Sequence, residues 1–311
     1  MGATVALDAT TSSTNGDTSN QGHTTDVEDD TDQSGHTPPP PPPAPVVDQT
    51  LIGDETANLL SGAGGNDVAI GNGGDDMIST GDGADFINAG AGADTVVAGA
   101  GDDMAYGHDG ADTIFGGAGK DLIDAGNGDD TAFGGSEDDM FVAHTNDGSD
   151  SYHGDAGSDT LDMSAVMANI EVNLGTGLAG WAKTGTVSDQ LYSIENVVTG
   201  SGNDTITASG AHNVIDTGAG HDKVVFHAAS DANGDTILNF EAGDKIDVSG
   251  FMGGTINLVN GSTAAAGQIA VSFANIGGEN FTVLHGHDVN DNEFQIDIKG
   301  HHALTGTDFA A

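Results

Sequence analysis

Residues 116–124 read GGAGKDLID, and this nine-residue unit repeats through the middle of the chain. Its aspartate recurs every nine residues without a slip, as Asp67, Asp76, Asp85, Asp94, Asp103, Asp112, Asp121, Asp130 and Asp139. Two residues earlier stands a glycine, namely Gly65, Gly74, Gly83, Gly92, Gly101, Gly110, Gly119 or Gly128, with Glu137 in the last repeat. Two residues later stands an apolar side chain, from Ala69 and Ile78 to Phe141. Such a repeat predicts a stack of similar structural units.

Each unit divides into a turn and a short strand. Glycine tolerates positive φ, so residues 116–121 can form a tight turn whose carbonyl groups point inward. Residues 122–124 then form a strand whose middle side chain faces the core. Because two units complete one coil, each aspartate is expected to lie beside the aspartate two repeats further along, as Asp67 beside Asp85.

Stacked carboxylates repel one another unless a cation lies between them. Ca²⁺ accepts about six to eight oxygen ligands in flexible geometry, whereas Mg²⁺ requires a stricter octahedron and Zn²⁺ prefers nitrogen and sulfur. We therefore expect several calcium ions between the coils. The alternative is a solvated acidic surface, but solvation alone requires no glycine–aspartate period.

The nonapeptide resembles the GGxGxDxUx repeat of the RTX (hemolysin-type calcium-binding) family over roughly residues 51–250. The resemblance implies a parallel β-roll and assigns calcium binding to the nine aspartates from Asp67 to Asp139, and further to Asp150, Asp159, Asp204 and Asp222. Backbone carbonyls of the glycine turns would complete the ligand set. Some repeats depart from the family pattern and are expected to bind more weakly. The first-glycine position, five residues before the aspartate, holds Thr80, Ala89, Ala98 and Ala125, and the second, four residues before it, holds Asn72 and His108. Glu137 puts the site at Asp139 in doubt.

The C-terminal sequence carries a second resemblance. Residues 235–249 are similar to the C-terminal region of serralysin-type and related RTX proteins, and residues 303–311 look like the uncleaved signal of type I secretion substrates. The resemblance implies the type I secretion machinery as a partner and a secreted or cell-surface location.

The predicted fold class is all-β, a parallel β-roll with a β-rich C-terminal cap, because no amphipathic helix of three turns is evident. Five segments are predicted. They are a disordered acidic tail with a polyproline linker (1–50), the main roll (51–162), a β-rich spacer (163–198), a second short repeat block with a cap (199–250) and a C-terminal β-region with the secretion signal (251–311). We expect no cleavable signal peptide at the N-terminus, which lacks a positive segment and an apolar core.

Composition excludes several classes of protein. Five Lys+Arg against 49 Asp+Glu give a net charge of −44, so binding to nucleic acids and insertion into membranes are not expected. The absence of cysteine excludes disulfide scaffolds and thiol catalysis.

Strand alternation predicts an apolar column on one outer face of the roll. If the residue two after each aspartate points inward, its neighbours point outward. We define the apolar column as Val68, Phe86, Met104, Leu122 and Met140. Such a surface is too apolar for open water, so we expect it to pack either on the C-terminal β-region or on a second copy of the chain. The alternative is that the assignment is shifted and these side chains form the core.

No catalytic constellation is evident. The HExxH and GxSxG motifs are absent, and only about fifty residues precede the repeats, which we expect to be too few for a catalytic domain. The pairs His285/His287 and His301/His302 could bind a transition metal, although exposed histidines near a chain end more often bind none.

The sequence thus predicts a secreted, non-enzymatic calcium-binding protein that folds on extracellular Ca²⁺ and has a structural, matrix or adhesion role. The alternatives are an extracellular enzyme, or the accessory and secretion module of one such as a serralysin-type protease or an epimerase. A third alternative is a plain calcium buffer without a partner.

Overall fold

A computed structural model describes residues 47–175, 179–253 and 256–310. Most of the predicted N-terminal tail, including its proline run, lies outside the described residues. Thr50 already belongs to the first strand, so the first coil begins one residue before the predicted boundary.

Strands account for nearly all of the regular structure. The first thirteen are β1 (Thr50–Ile52), β2 (Leu59–Ser61), β3 (Val68–Gly73), β4 (Met77–Asp82), β5 (Phe86–Ala91), β6 (Thr95–Ala100), β7 (Met104–Asp109), β8 (Thr113–Ala118), β9 (Leu122–Asp124), β10 (Thr131–Ser136), β11 (Met140–Val142), β12 (Ser151–Ala156) and β13 (Thr160–Asp162). The next nine are β14 (Ile170–Asn173), β15 (Gly180–Thr184), β16 (Val187–Tyr192), β17 (Asn196–Val198), β18 (Thr205–Thr207), β19 (Val214–Asp216), β20 (Lys223–Val225), β21 (Asp235–Leu238) and β22 (Lys245–Asp247). The last four are β23 (Asn257–Asn260), β24 (Gln268–Ile276), β25 (Glu279–His287) and β26 (Glu293–Lys299).

Successive strands of the repeat region alternate between two sheets. Sheet A contains 14 strands in the order β1-β3-β5-β7-β9-β11-β13-β17-β19-β21-β26-β25-β24-β23. Sheet B contains 12 strands in the order β2-β4-β6-β8-β10-β12-β16-β15-β14-β18-β20-β22. Val68 pairs with Phe86 and Phe86 with Met104, which confirms the expected step of two repeats per coil. The chain therefore forms a parallel β-solenoid of about 11 turns, as the repeat predicts.

The core lies between the two sheets and takes one apolar side chain from the centre of each strand. Ile78, Ile87, Ile114 and Ile123 are completely buried, and so are the smaller Ala69 and Ala132. The predicted inward position is therefore confirmed, and a shifted assignment is excluded.

Close stacking of the turns requires glycine at particular positions. Gly110 has φ +145°, and a Cβ at this position would collide with the carbonyl oxygen of Gly92 in the preceding coil. Asn72 and His108, which replace the second glycine, nevertheless adopt φ of +76° and +75°, and Glu137 adopts +81°. The neighbouring coils therefore impose the turn conformation even where the side chain disfavours it.

The break at Ala143 and His144 lengthens one coil without ending the solenoid. Thr131 pairs with Ser151, so the step of two full repeats is lengthened by the two inserted residues, and the parallel register then continues. In the predicted spacer, β16, β15 and β14 pair antiparallel with one another between β12 and β18. Three strands thus stand in sheet B where a regular coil would supply one.

The C-terminal β-region extends sheet A, because β26 pairs with β21 and β25 and β24 follow antiparallel. The short helix α1 (Ser249–Met252) and two 3₁₀ turns (Ala229–Ala232 and Gly306–Asp308) are the helical elements of the described residues. Among all the residues that the structure describes, no helix is long and apolar enough to cross a membrane.

The apolar column lies on the outer face of sheet A, as expected. Phe86, Met104 and Met140 remain about 40% exposed (38%, 41% and 40%), whereas Val68 and Leu122 are half-buried. The C-terminal β-region adds to the end of the sheet and leaves these side chains uncovered. The expectation that this region packs on the apolar column is therefore wrong, since its strands bond edge to edge instead of face to face.

Candidate metal centre

The repeat aspartates form two ladders along the solenoid, one for each sheet. In each ladder the Oδ1 atom accepts a hydrogen bond from the backbone N–H of the aspartate one coil earlier. Asp103 Oδ1 lies 2.8 Å from Asp85 N, and Asp121 Oδ1 lies 2.9 Å from Asp103 N. The same bond recurs from Asp67, which accepts from Gln49, to Asp159, which accepts from Asp139. The side chains expected to be neighbours are thus brought together.

The second carboxylate oxygen of the ladder residues is buried and has no hydrogen-bond partner in the part of the chain that the structure describes. This holds for Oδ2 of Asp67, Asp76, Asp85, Asp94, Asp103, Asp112, Asp121, Asp130, Asp139, Asp159, Asp204, Asp222 and Asp235. Asp150 is the exception among the predicted residues, because its Oδ2 accepts a hydrogen bond from the Tyr152 hydroxyl at 3.0 Å. Buried polar atoms are normally paired, so a row of unpaired carboxylate oxygens indicates a missing cationic partner.

Backbone carbonyl oxygens converge on these unpaired atoms at the first-glycine position. The site that a Cβ on Gly107 would take is in contact with both Asp112 Oδ2 and the carbonyl oxygen of Ala125. Gly71 shows the same arrangement with Asp76 Oδ2 and the carbonyl oxygen of Ala89. Glycine therefore leaves a small space lined by a carboxylate and by a carbonyl of the next coil, which are ligands that Ca²⁺ uses.

The departures from the repeat alter this space without disturbing the ladder. Ala98 and Ala125 stand at the first-glycine position and are completely buried, so a methyl group occupies the space beside Asp103 and Asp130. Asp139, which follows Glu137, is still buried, and its Oδ1 still accepts the N–H of Asp121 at 2.8 Å. The doubt that Glu137 raised about Asp139 thus finds no support in the backbone geometry.

Burial raises the pKa of the ladder carboxyls. Loss of water is the main cause, neighbouring carboxylates add to it, and the backbone N–H that each group accepts opposes it. The pKa rises to about 7 for Asp103, Asp130 and Asp139. It rises to about 6 for Asp112 and Asp121. Protons or cations are therefore needed to neutralise the ladder.

The ladders include residues that the sequence analysis did not assign. Asp189 in the antiparallel segment accepts the N–H of Asp150 at 3.1 Å, and its pKa is raised to about 7, mainly by burial. Asp235 and Asp244 accept the N–H groups of Asn213 and Asp222 at 2.9 Å each. No glycine stands two residues before Asp189, so the repeat pattern does not mark it. Asp235 and Asp244 lie in coils that are longer than two repeats, so they fall outside the nine-residue spacing.

The second repeat block continues the ladder with one interruption. Asp204 accepts the N–H of Ile170, and Asp222 accepts that of Asp204, both at 2.8 Å. Asn213 takes the equivalent position in the other sheet, where its amide is fully used by Ser209 and the carbonyl of Glu195. A neutral amide there removes one charge from the array.

The residues present fit calcium better than other biological cations. Every candidate ligand atom in the ladder is oxygen, and the spaces at Gly71 and Gly107 each combine a carboxylate with a backbone carbonyl of the next coil. Bound Ca²⁺ would supply positive charge between carboxylates that are otherwise forced together. The aspartates hold the coils in register through Oδ1 and leave Oδ2 for the ion, whereas Zn²⁺ would find neither nitrogen nor sulfur here.

Two family models match the chain. The RTX calcium-binding nonapeptide repeat (4 copies) matches residues 52–87, 70–105 and 106–141. The peptidase M10 serralysin C-terminal model matches residues 151–311, more than half of the chain. No curated protein matches. The first match supports calcium binding and the second points to type I secretion. These matches agree with the two ladders of buried carboxylates, whose members are spaced by two repeats. The chain belongs to the RTX calcium-binding repeat proteins, with a C-terminal half of the serralysin type.

Proposed function

We propose that this chain is a protein secreted through the type I machinery, that extracellular calcium folds its roll, and that it has a non-enzymatic structural, matrix or adhesion role. The observation that carries the proposal is the row of buried Oδ2 atoms without partners, which extends over both sheets. These atoms make the folded roll unfavourable at neutral pH until cations bind.

The mechanism follows from charge. Without calcium, the ladder carboxylates must either take up protons or repel one another, so the unfolded chain is favoured where calcium is scarce. Extracellular calcium modules have dissociation constants of about 10⁻⁴–10⁻³ M. Since the ligands come together only in the coiled state, the free energy of calcium binding becomes free energy of folding.

A structural role is supported by the uniformity of the site. Catalytic acid–base pairs need two groups in different environments, whose pKa values differ. The ladder aspartates instead share one hydrogen-bond pattern, and burial raises their pKa to similar values, about 7 for Asp103, Asp130 and Asp139 and about 6 for Asp112 and Asp121. A repeated array of this kind suits binding of many ions more than one reaction.

Calcium titration of EDTA-treated protein tests the folding mechanism, with far-UV circular dichroism and Trp181 fluorescence as signals and magnesium as the control. We expect a cooperative transition to β structure with calcium only. Asp103→Asn should move the midpoint to higher calcium, whereas Asp82→Asn, which removes the same charge from the exposed end of β4, should leave it unchanged. A chain already folded in EDTA at neutral pH would refute the mechanism.

Self-association through the apolar column would give the roll a structural role. The variant Phe86→Ser/Met104→Ser should lower the mass of calcium-loaded protein in light scattering. Phe115→Ser/Val97→Ser on sheet B is the matched control, since these side chains have nearly the same exposure (38% and 40%). An unchanged mass in the first variant would count against assembly by this face.

An enzymatic context is the second candidate, because the serralysin C-terminal match covers residues 151–311. In that case the chain would be an extracellular enzyme, or the accessory and secretion module of one such as a protease or an epimerase. A panel of protein and polysaccharide substrates, tested with calcium-loaded protein, separates the two proposals. Turnover that disappears on chelation would favour the enzyme over the structural protein.

A further inference from the structure

The far end of the β25–β26 hairpin brings together two histidines and two carboxylates. His285 and His287 lie two residues apart on β25, so their side chains share one face of the sheet. Glu293 begins β26 directly opposite His287, and Asp291 lies in the connecting loop. Gly286 pairs with the buried Phe294 on the opposite face, so the histidine face is distinct from the core.

The ligand atoms of this cluster are already close. His285 Nε2 lies 2.6 Å from Glu293 Oε1, and His287 Nδ1 lies 3.1 Å from Asp291 Oδ1. One ligand atom from each of His285, His287 and Glu293 can be chosen so that all three lie within 4.8 Å of one another. Small side-chain rotations would bring them to the spacing of a metal with bonds of about 2.0–2.2 Å.

Each imidazole also has one ring nitrogen without a hydrogen-bond partner among the described residues. The Nδ1 atoms of His285 and His287 are shielded from solvent and form no hydrogen bond with any described residue, because the approach of Asp291 to His287 does not have hydrogen-bond geometry. Their side chains are only 19% and 23% exposed, whereas Glu293 and Asp291 are 65% and 75% exposed. The nitrogens are thus held in place, while the carboxylates can adjust around an ion.

We propose that His285, His287 and Glu293 bind one divalent transition-metal ion, with Zn²⁺ as the best match and Asp291 as a further carboxylate. Two imidazoles and one or two carboxylates form a donor set for zinc, nickel or copper, whereas calcium takes oxygen ligands alone. The site is therefore chemically separate from the carboxylate ladders. A bound ion would tie β25, the loop and β26 together at the end of the hairpin.

Two further observations are consistent with a specific site. Asp291 and Glu293 also line an open cleft with His227 and Phe251, so both carboxylates are accessible to an ion from solvent. The other histidine pair is engaged differently: His301 stacks on Phe273 with ring centroids 4.8 Å apart, and His302 Nε2 lies 2.7 Å from the carbonyl oxygen of Lys299. Adjacent in sequence, these two rings have separate partners and form no common site.

Calorimetric titration of ZnCl₂ into the calcium-saturated full chain tests the proposal, because calcium blocks the carboxylate ladders. We expect one saturable zinc site per chain. Loss of an outer-sphere partner commonly lowers metal affinity about 10–100-fold, so His285→Ala or His287→Ala should lower it by at least that much. His301→Ala/His302→Ala should bind zinc as the unaltered chain does. Glu293→Gln should weaken binding, whereas Glu279→Gln at the opposite end of the same hairpin should not.

Imidazole proton spectra of the unaltered chain keep the test independent of how the variants fold. Zinc should shift the resonances of two of the 12 histidines, and those two should be absent in His285→Ala and His287→Ala, respectively. The absence of saturable binding, or equal zinc affinity in the double variant His285→Ala/His287→Ala, would overturn the proposal.

Discussion

One methyl group at the first-glycine position separates two kinds of repeat. Where glycine stands, as at Gly116, the place of a Cβ is in contact with Oδ2 of the aspartate five residues later, Asp121. Where alanine stands, as at Ala98, that place is filled beside Asp103. Both aspartates keep the same hydrogen bond to the preceding coil. The difference between the repeats therefore concerns the space for an ion and not the backbone.

Exchange of glycine and alanine at this position should change calcium affinity in opposite directions. Gly116→Ala places a methyl group against Asp121 Oδ2, so we expect a higher calcium midpoint. Ala98→Gly opens the space beside Asp103, so we expect a lower midpoint. Both variants are measured by the calcium dependence of far-UV circular dichroism. Reversal of both shifts, with a lower midpoint for Gly116→Ala and a higher one for Ala98→Gly, would indicate that the conformational entropy of the backbone, and not ligand space, controls the midpoint.

The stability of the metal-free chain should fall as the pH rises from about 4 to about 7. The folded pKa values of Asp103, Asp130 and Asp139 are raised to about 7, above the ordinary value of 3.8. A raised folded pKa gives stability that is complete below the unfolded pKa and is lost as the pH rises through the folded value. Urea unfolding in EDTA at several pH values measures this. Calcium affinity should rise over the same interval, because the ion replaces bound protons.

The exposed carboxylates also gain charge over this interval, so a control must separate the two effects. Asp130→Asn removes a ladder carboxyl and should flatten the pH dependence. Asp82→Asn removes an exposed charge and should change it little. Metal-free stability that stays constant or increases between pH 4 and 7 would contradict the raised pKa values.

At the scale of the element, the turn depends on the approach of neighbouring coils as much as on its own φ. Gly101 has φ +131°, and a Cβ there would collide with the carbonyl oxygen of Gly83. Gly185, in the turn between β15 and β16, also has positive φ (+63°) but has nothing within 4 Å of a Cβ. The two positions therefore differ in the contact with the neighbouring coil, and the φ of Gly101 also lies farther from the left-handed region than that of Gly185.

Gly101→Ala should destabilise the calcium-loaded protein more than Gly185→Ala. The second variant should cost about 1–2 kcal/mol, the usual penalty of a left-handed conformation for an L-residue. The first should cost a further ~1–3 kcal/mol, because the added carbon overpacks the interface between coils. Thermal unfolding at fixed calcium measures both. Equal losses would show that neither the contact with Gly83 nor the φ of Gly101 adds to the penalty found at Gly185.

The parts of the structure that could be predicted from the sequence are those determined by the nine-residue repeat. The step of two repeats per coil determines the pairing of Phe86 with Met104, the inward position of Ile87 and the neighbours of each ladder aspartate. Asp189 escaped notice because an antiparallel pair of strands, which lacks the glycine–aspartate spacing of the repeat, brings it to the ladder. The site formed by His285 and Glu293 depends on a hairpin register that the intervening loop sequence does not specify.

At the scale of the whole molecule, the carboxylate ladders follow the solenoid and do not extend into the C-terminal β-region. They run from Asp67 to Asp244 and stop before the antiparallel strands β24, β25 and β26. Those strands bury Ile269, Leu284 and Phe294, which form an ordinary apolar core. The charge that opposes folding is therefore concentrated in the coils, and the C-terminal β-region is held by burial of apolar surface and by backbone hydrogen bonds.

Withdrawal of calcium should consequently unfold the two parts of the chain at different ion concentrations. Hydrogen exchange measured by mass spectrometry, at calcium concentrations stepped down with EDTA, reports each part in the full chain. Peptides from residues 67–162 should lose protection first, because their buried carboxylates lose the neutralising ion. Peptides from residues 268–299 should keep protection to lower calcium, since the ladder contributes no carboxylate there. Zinc should extend the protection of residues 279–299 alone if the histidine site binds it. Loss of protection in both regions at one calcium concentration would instead mean that β21 and β26 couple the solenoid and the C-terminal strands into a single cooperative unit.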